Sequence, residues 1–278
     1  MNANQTHCMQ LLRDADPDRY LSVLYAPEAK RGDLAALYAF NSEIARIRDL
    51  IHDPLPGEVR LQWWRDLING TDHGAASGNP VAASLLHAIE TYDLPRQAFD
   101  NYCEARIFDF YDDPMPSRND LEGYCGETAS ALIQLASLIL DPVEAPKHAD
   151  LAGHAGVAQA STGLLRLLPL HRRRGQIYIP MDILAAVGCS PEVLLDGSDT
   201  PAIGRAVEAM IALGEDHFAT FETGAKGLAA TLRPAYLPAR LTPTYLKRLK
   251  ASDFNAAVEI AEISPLRRQW AMFRASVR

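Results

Sequence analysis

The sequence predicts an all-α fold in one domain, on three observations. Apolar residues recur at helical spacing along most of the chain, with Leu34, Leu37, Tyr38, Ile44, Ile47 and Ile51 on one stripe. Strand-like composition is confined to Gln176, Ile177, Tyr178 and Ile179. No repeat and no low-complexity linker divides residues 1–278, so they are read as one helical unit.

The elements follow in order. A first long helix starts near Pro27, a residue favoured in a first turn, and stops before Pro54 and Pro56. A second is predicted over 57–68, ending at Asn69-Gly70, a left-handed cap. Residues 71–80 read as a loop. Helices follow over 81–92, 95–110, 118–140 and 148–168. Residues 171–200, with Gly175, Pro180, Gly188, Pro191 and Gly197, read as a polar irregular stretch. Helices resume over 201–223, 228–237, 244–249 and 265–277.

Composition narrows the class. With 48% apolar and 22% charged residues, disordered and collagen-like chains are excluded. Cys8, Cys103, Cys125 and Cys189 lie far apart without metal-ligand spacing, which points to reduced thiols. Residues 1–16 are polar, with neither a signal-peptide core nor the look of a mitochondrial presequence. The longest apolar run, 128–140, contains Gln134 and is too short to span a bilayer. A cytoplasmic protein is expected. Nucleophile elbow, Walker loop, dinucleotide fingerprint, HExxH and nucleic-acid modules are all missing from the sequence.

The net charge of −8 is uneven: residues from Ala225 onward carry about +7 and the rest about −15. A basic end can face anionic lipid at the inner membrane, a diphosphate or an acidic partner, or consist of solvated helix faces.

Four segments, in this order and spacing, resemble the squalene/phytoene synthase family. They are Tyr20-Leu21-Ser22-Val23-Leu24-Tyr25-Ala26-Pro27 with the following Leu34 to Asn41 helix, Arg60-Leu61-Gln62-Trp63-Trp64-Arg65, Tyr124-Cys125-Gly126-Glu127-Thr128-Ala129, and Arg173-Arg174-Gly175-Gln176-Ile177-Tyr178-Ile179-Pro180-Met181-Asp182. The resemblance covers about residues 18–275. It implies an isoprenoid synthase-like helical bundle around a central apolar cavity, and head-to-head joining of two prenyl diphosphates. In that family two DxxxD motifs face each other across the cavity. Carboxylates at i and i+4 share a helix face, and two opposed pairs hold Mg²⁺, which stabilises the departing pyrophosphate.

By the same resemblance the first motif falls on residues 45–49, where Ala45 and Asp49 stand with Arg46 and Arg48 between. The second falls on 167–171, as Leu167 and His171, after Arg166. Imidazole in place of a carboxylate suits zinc better than magnesium, or is simply a buried histidine. The acids that could rebuild a site are Asp49, Asp53, Asp109 and Asp113, with Glu43 and Asp112 nearby; otherwise the 109–113 acids belong to the surface. Candidates for ligand or diphosphate binding are Arg166, Arg172, Arg173, Arg174 and Tyr178. Of Trp63 and Trp64, one is expected in the core and one at its rim.

The run from Gly163 to Pro180, Tyr245-Leu246 with Asp253-Phe254, and Arg267 to Trp270 are similar to a subgroup that includes a mitochondrial complex I assembly factor with a phytoene synthase domain. This implies a bacterial relative without catalysis, which binds an isoprenoid or lipid-like ligand and aids respiratory complex assembly through a protein partner. No cofactor is then expected. The alternative is an active prenyltransferase that uses Mg²⁺ and shifted carboxylates.

Overall fold

The computed structural model describes residues 1–70 and 78–277. Among them there are helices and turns and no strand, so the all-α expectation holds. The loop expected over 71–80 lies mostly outside the described residues.

The first 24 residues, to which the sequence reading assigns no helix, form α1 (Ala3–Ala15) and α2 (Pro17–Leu24). Asn2 and Gln5 make a reciprocal capping box, and Asp16 caps α2 just before Pro17. Both ends are thus locally coded, and α1 buries Cys8 and Leu12 while packing against the next long helix. That helix, α3 (Glu28–Ala45), continues into a 3₁₀ turn at Ile47–Leu50. Its predicted stripe is buried from Leu34 to Ile51. α4 (Pro54–Asn69) ends at Gly70, whose φ of 77° is the left-handed cap that the Asn-Gly pair predicts.

α5 (Pro80–Tyr92) and α6 (Arg96–Arg106) follow, the latter running into a 3₁₀ turn at Ile107–Phe110. Phe40 of α3 is fully buried against Trp64, Phe99 and Tyr102, in edge-on or tilted ring contacts of 5.0–5.7 Å. Trp64 is the core tryptophan and Trp63, 5.0 Å away, the rim one.

The helix predicted over 118–140 is continuous but carries one π turn at Gly126–Ser130, between α7 (Arg118–Cys125) and α8 (Ala131–Leu140). That turn lies against α9 (Ala149–Arg166) at Gly156, where an added Cβ would meet the Ser130 side chain and backbone. Ser130 Oγ also donates to the Gly153 carbonyl at 3.0 Å. A π turn re-aims the residues around it; here Thr128 and Ala129 come to face the cavity.

The stretch predicted as irregular over 171–200 instead holds short helices. α10 (Leu168–Arg173) leads into it, and α11 (Met181–Ala186) and α12 (Pro191–Asp196) punctuate it. Pro180 at the N-cap of α11, Pro191 in the first turn of α12, and Gly188 and Gly197 at positive φ mark their ends. Residues 176–179, expected to be extended, form no strand, but residue 115 bridges the segment: Met115 N donates to Ile177 O, and Met181 N to Met115 O. The 25-residue α13 (Thr200–Gly224) is the main partner of α9. α14 (Arg233–Tyr236), α15 (Thr242–Leu249) and α16 (Pro265–Ser276) complete the chain.

Candidate functional site

The ends of α3, α6 and α9, the start of α2 and the π turn surround a cavity of about 540 Å³. Its apolar lining includes Ala45, Ala129, Ala160, Leu164, Leu167 and Leu170. Its charged lining is four aspartates and seven arginines, a cationic excess.

Each of the four aspartates is paired with arginine. Asp16 meets Arg19 at 2.6 Å. Asp18 meets Arg268 at 2.5 Å and Arg166 at 3.7 Å, and accepts from the Tyr245 hydroxyl at 2.7 Å. Arg166 also stacks 3.6 Å over the Tyr245 ring. Asp49 pairs with Arg174. Asp109 is 8% exposed and pairs with Arg106 at 3.0 Å, while Tyr178 and Tyr124 donate their hydroxyls to its other oxygen at 2.7 and 2.9 Å. Burial, aided by the Asp109 charge, holds both tyrosine hydroxyls well above their ordinary range, so they act as donors.

The predicted site residues divide cleanly. Asp49, Asp109, Arg166, Arg174 and Tyr178 line the cavity. Asp53 and Asp113 are exposed and outside it. Asp53 sits where α4 begins, and Pro54 turns the chain away there. Asp112 is drawn off to Arg48 at 3.2 Å. The surface reading of the 109–113 acids therefore fits Asp112 and Asp113 and fails for Asp109, which the 3₁₀ turn after α6 points inward. Arg172 is a structural clip: its guanidinium donates to the carbonyls of Leu194 and Ala257, both at 2.5 Å, and is spent on backbone. Arg173 is exposed and donates to Pro169 O at 3.1 Å. Neither lines the cavity, because only every third or fourth residue of a helical turn faces one side.

Sequence reading missed Asp16, Asp18, Arg19, Arg106 and Arg268. The Asp16-Pro17 start signal was available for the first two. Nothing local marks Arg106 or Arg268 as inward-facing.

His171 is 7% exposed, with its ring 4.7 Å from that of Tyr178. Burial, reinforced by the Arg174 charge, lowers its pKa to about 4, so it is neutral near pH 7. Magnesium, which the resemblance implies, does not fit this donor set. Ala45 and Leu167 offer no ligand atom, His171 offers nitrogen, and each cavity acid already faces a guanidinium. Among the described residues no three His, Cys, Asp or Glu side chains are grouped to hold a metal ion. The arrangement suits an anionic group on an apolar body.

The chain is 29% identical over 250 residues to the Bos taurus protein "NADH dehydrogenase (ubiquinone) complex I, assembly factor 6", covering 90% of this chain and 74% of that one. It is 24% identical to the 15-cis-phytoene synthase of Synechocystis sp., covering 89% and 77% of the two chains. A dehydrosqualene synthase crystal structure superposes with a TM-score of 0.82 at 18% identity over 99% of this chain and 95% of the other, a likeness of fold. The squalene synthase HpnC from Alicyclobacillus acidocaldarius gives 0.74 at 18% identity, over 88% and 92%. The squalene/phytoene synthase profile matches residues 12–274, which include α2, α3, α9 and α10 around the cavity, and the chain therefore belongs to the squalene/phytoene synthase family.

Proposed function

We propose that this chain is a non-catalytic member of its family, with its aspartate-rich motifs lost. It binds an isoprenoid or lipid-like ligand with an anionic head and assists assembly of respiratory complex I, working in the cytoplasm at the inner membrane with a protein partner. The carrying observation is the pairing of each cavity aspartate with an arginine: acids so engaged are poor magnesium ligands, whereas the surplus guanidiniums favour an anion. Similarity to complex I assembly factors over 90% of the chain supports the assembly role.

Deleting the gene tests that role. Lower levels of assembled complex I, with head-to-head isoprenoid products unchanged, are expected; normal complex I would refute it. The alternative, an active Mg²⁺-dependent prenyltransferase, draws on similarity to a 15-cis-phytoene synthase. Pyrophosphate release from farnesyl or geranylgeranyl diphosphate with Mg²⁺, abolished by Asp49→Ala, would establish that alternative instead.

A further inference from the structure

Helix α16 carries a face that the interior leaves uncovered. Of its 12 residues only Met272 is buried. Leu266, Trp270 and Phe273 are 79, 61 and 50% exposed. The Trp270 and Phe273 rings stack at 6.1 Å. With Leu21 and Leu24 of α2 and Tyr25 at its C-terminal cap, these side chains line one surface groove of about 630 Å³. Scattered exposed apolar residues need no explanation, but two aromatics and several aliphatic side chains in one groove do.

Charge narrows the occupant. α16 contains Arg267, Arg268 and Arg274 and no acid, on a chain whose net charge is −8. Arg268 turns inward to Asp18, while Arg267 and Arg274 are exposed beside the aromatics. Aromatic and leucine side chains flanked by arginines, on a helix with one buried residue, are the pattern of a helix lying in a bilayer interface. The rings enter the headgroup boundary and the guanidiniums meet lipid phosphates. A symmetric pair of copies would instead bring the same arginines of both chains into one interface, with no acid on α16 to meet them. No helix among the described residues is long and apolar enough to cross a membrane, so contact through this helix would be superficial.

We propose that α16, together with the outer face of α2, is a docking surface for an anionic lipid bilayer. This surface is independent of what the cavity holds. Asp18 and Arg268 line the cavity from the inner side of the same two helices.

The test is sedimentation of the full chain with vesicles of phosphatidylcholine alone and of phosphatidylcholine with phosphatidylglycerol. Binding to the anionic vesicles is expected, falling about tenfold or more in the Trp270→Ser/Phe273→Ser variant. Arg267→Gln/Arg274→Gln should abolish the preference for anionic vesicles and its salt sensitivity. Leu55→Ser, at an exposed leucine of α4 outside the groove, should bind like the parent. Circular dichroism checks that all variants stay folded. Failure of the parent to bind, equal binding by the Trp270/Phe273 variant, or equal loss in Leu55→Ser would overturn the proposal. So would a dimer in sedimentation equilibrium that the Trp270/Phe273 variant dissolves, since the groove would then be a protein interface.

Discussion

Arg174, at the end of α10, ion-pairs with Asp49 in the 3₁₀ turn after α3, across 125 positions of sequence. The pair makes the Asp49 carboxylate half of a neutral couple and ties two cavity walls together.

Binding in this cavity should therefore not depend on a divalent cation. Affinity for a farnesyl phosphate probe, followed by calorimetry, should be the same with Mg²⁺ and with chelator. Arg174→Gln should weaken it about ten- to hundredfold, the worth of one charge-assisted hydrogen bond. Binding that vanishes on chelation would contradict the arginine reading.

Asp109→Asn keeps the side chain's shape but leaves Arg106 buried without a counter-charge. Loss of roughly 3–5 kcal/mol in urea unfolding is expected. Tyr178→Phe removes one hydroxyl donor to the same carboxylate but leaves the charge pair intact, and should cost less, about 1.5–3 kcal/mol. Equal effects of the two substitutions would show that charge is not what matters at Asp109.

His171 gives stability a defined pH dependence. Its pKa falls from 6.5 to about 4 on folding, so the unfolded chain takes up the proton first as pH falls. Its contribution is intact above pH 6.5 and is lost progressively toward pH 4, a change of about 3 kcal/mol. His217, also lowered chiefly by burial, adds in the same direction. His171→Gln should flatten that part of the stability–pH curve, measured by denaturant titration; an unchanged slope would mean that the imidazole titrates normally.

Gly156→Ala tests the approach of α9 to the π turn. The new methyl group would meet Ser130 backbone atoms, which cannot swing aside as a flexible side chain can. Destabilisation of about 1–3 kcal/mol is expected in thermal or urea unfolding. Gly153→Ala, three residues earlier with nothing near an added Cβ, should be neutral or slightly stabilising.

Thiol labelling reports on the core. All four cysteines are buried, and burial raises Cys8 to about 11 and Cys103 and Cys125 to about 12. An aromatic disulfide reagent near neutral pH should label none of them in the native protein and all four after unfolding.

What the sequence made legible was mostly local. The α3 stripe, the Gly70 cap and the Trp63–Trp64 division follow from spacing and turn chemistry acting over a few residues. α1 and α2 were just as local, but their polar composition hid helices held by caps and by packing on one side. The site was legible in part. Asp49, Arg166, Arg174 and Tyr178 stood out through family segments, while Arg172 and Arg173 looked equivalent to Arg174 although they face elsewhere.

The chain alone determined which chemistry was present: helices, a large set of apolar residues to bury, alanine, leucine and histidine at three positions expected to carry acids, and an arginine surplus near the C-terminus. Only the tertiary structure decided which charges meet. Helical periodicity is read over about four residues, whereas Asp18–Arg268 and Asp49–Arg174 are closed by the path of the whole chain. Ion pairing acts through space, so its partners emerge only when distant helices are brought within a few ångströms of each other.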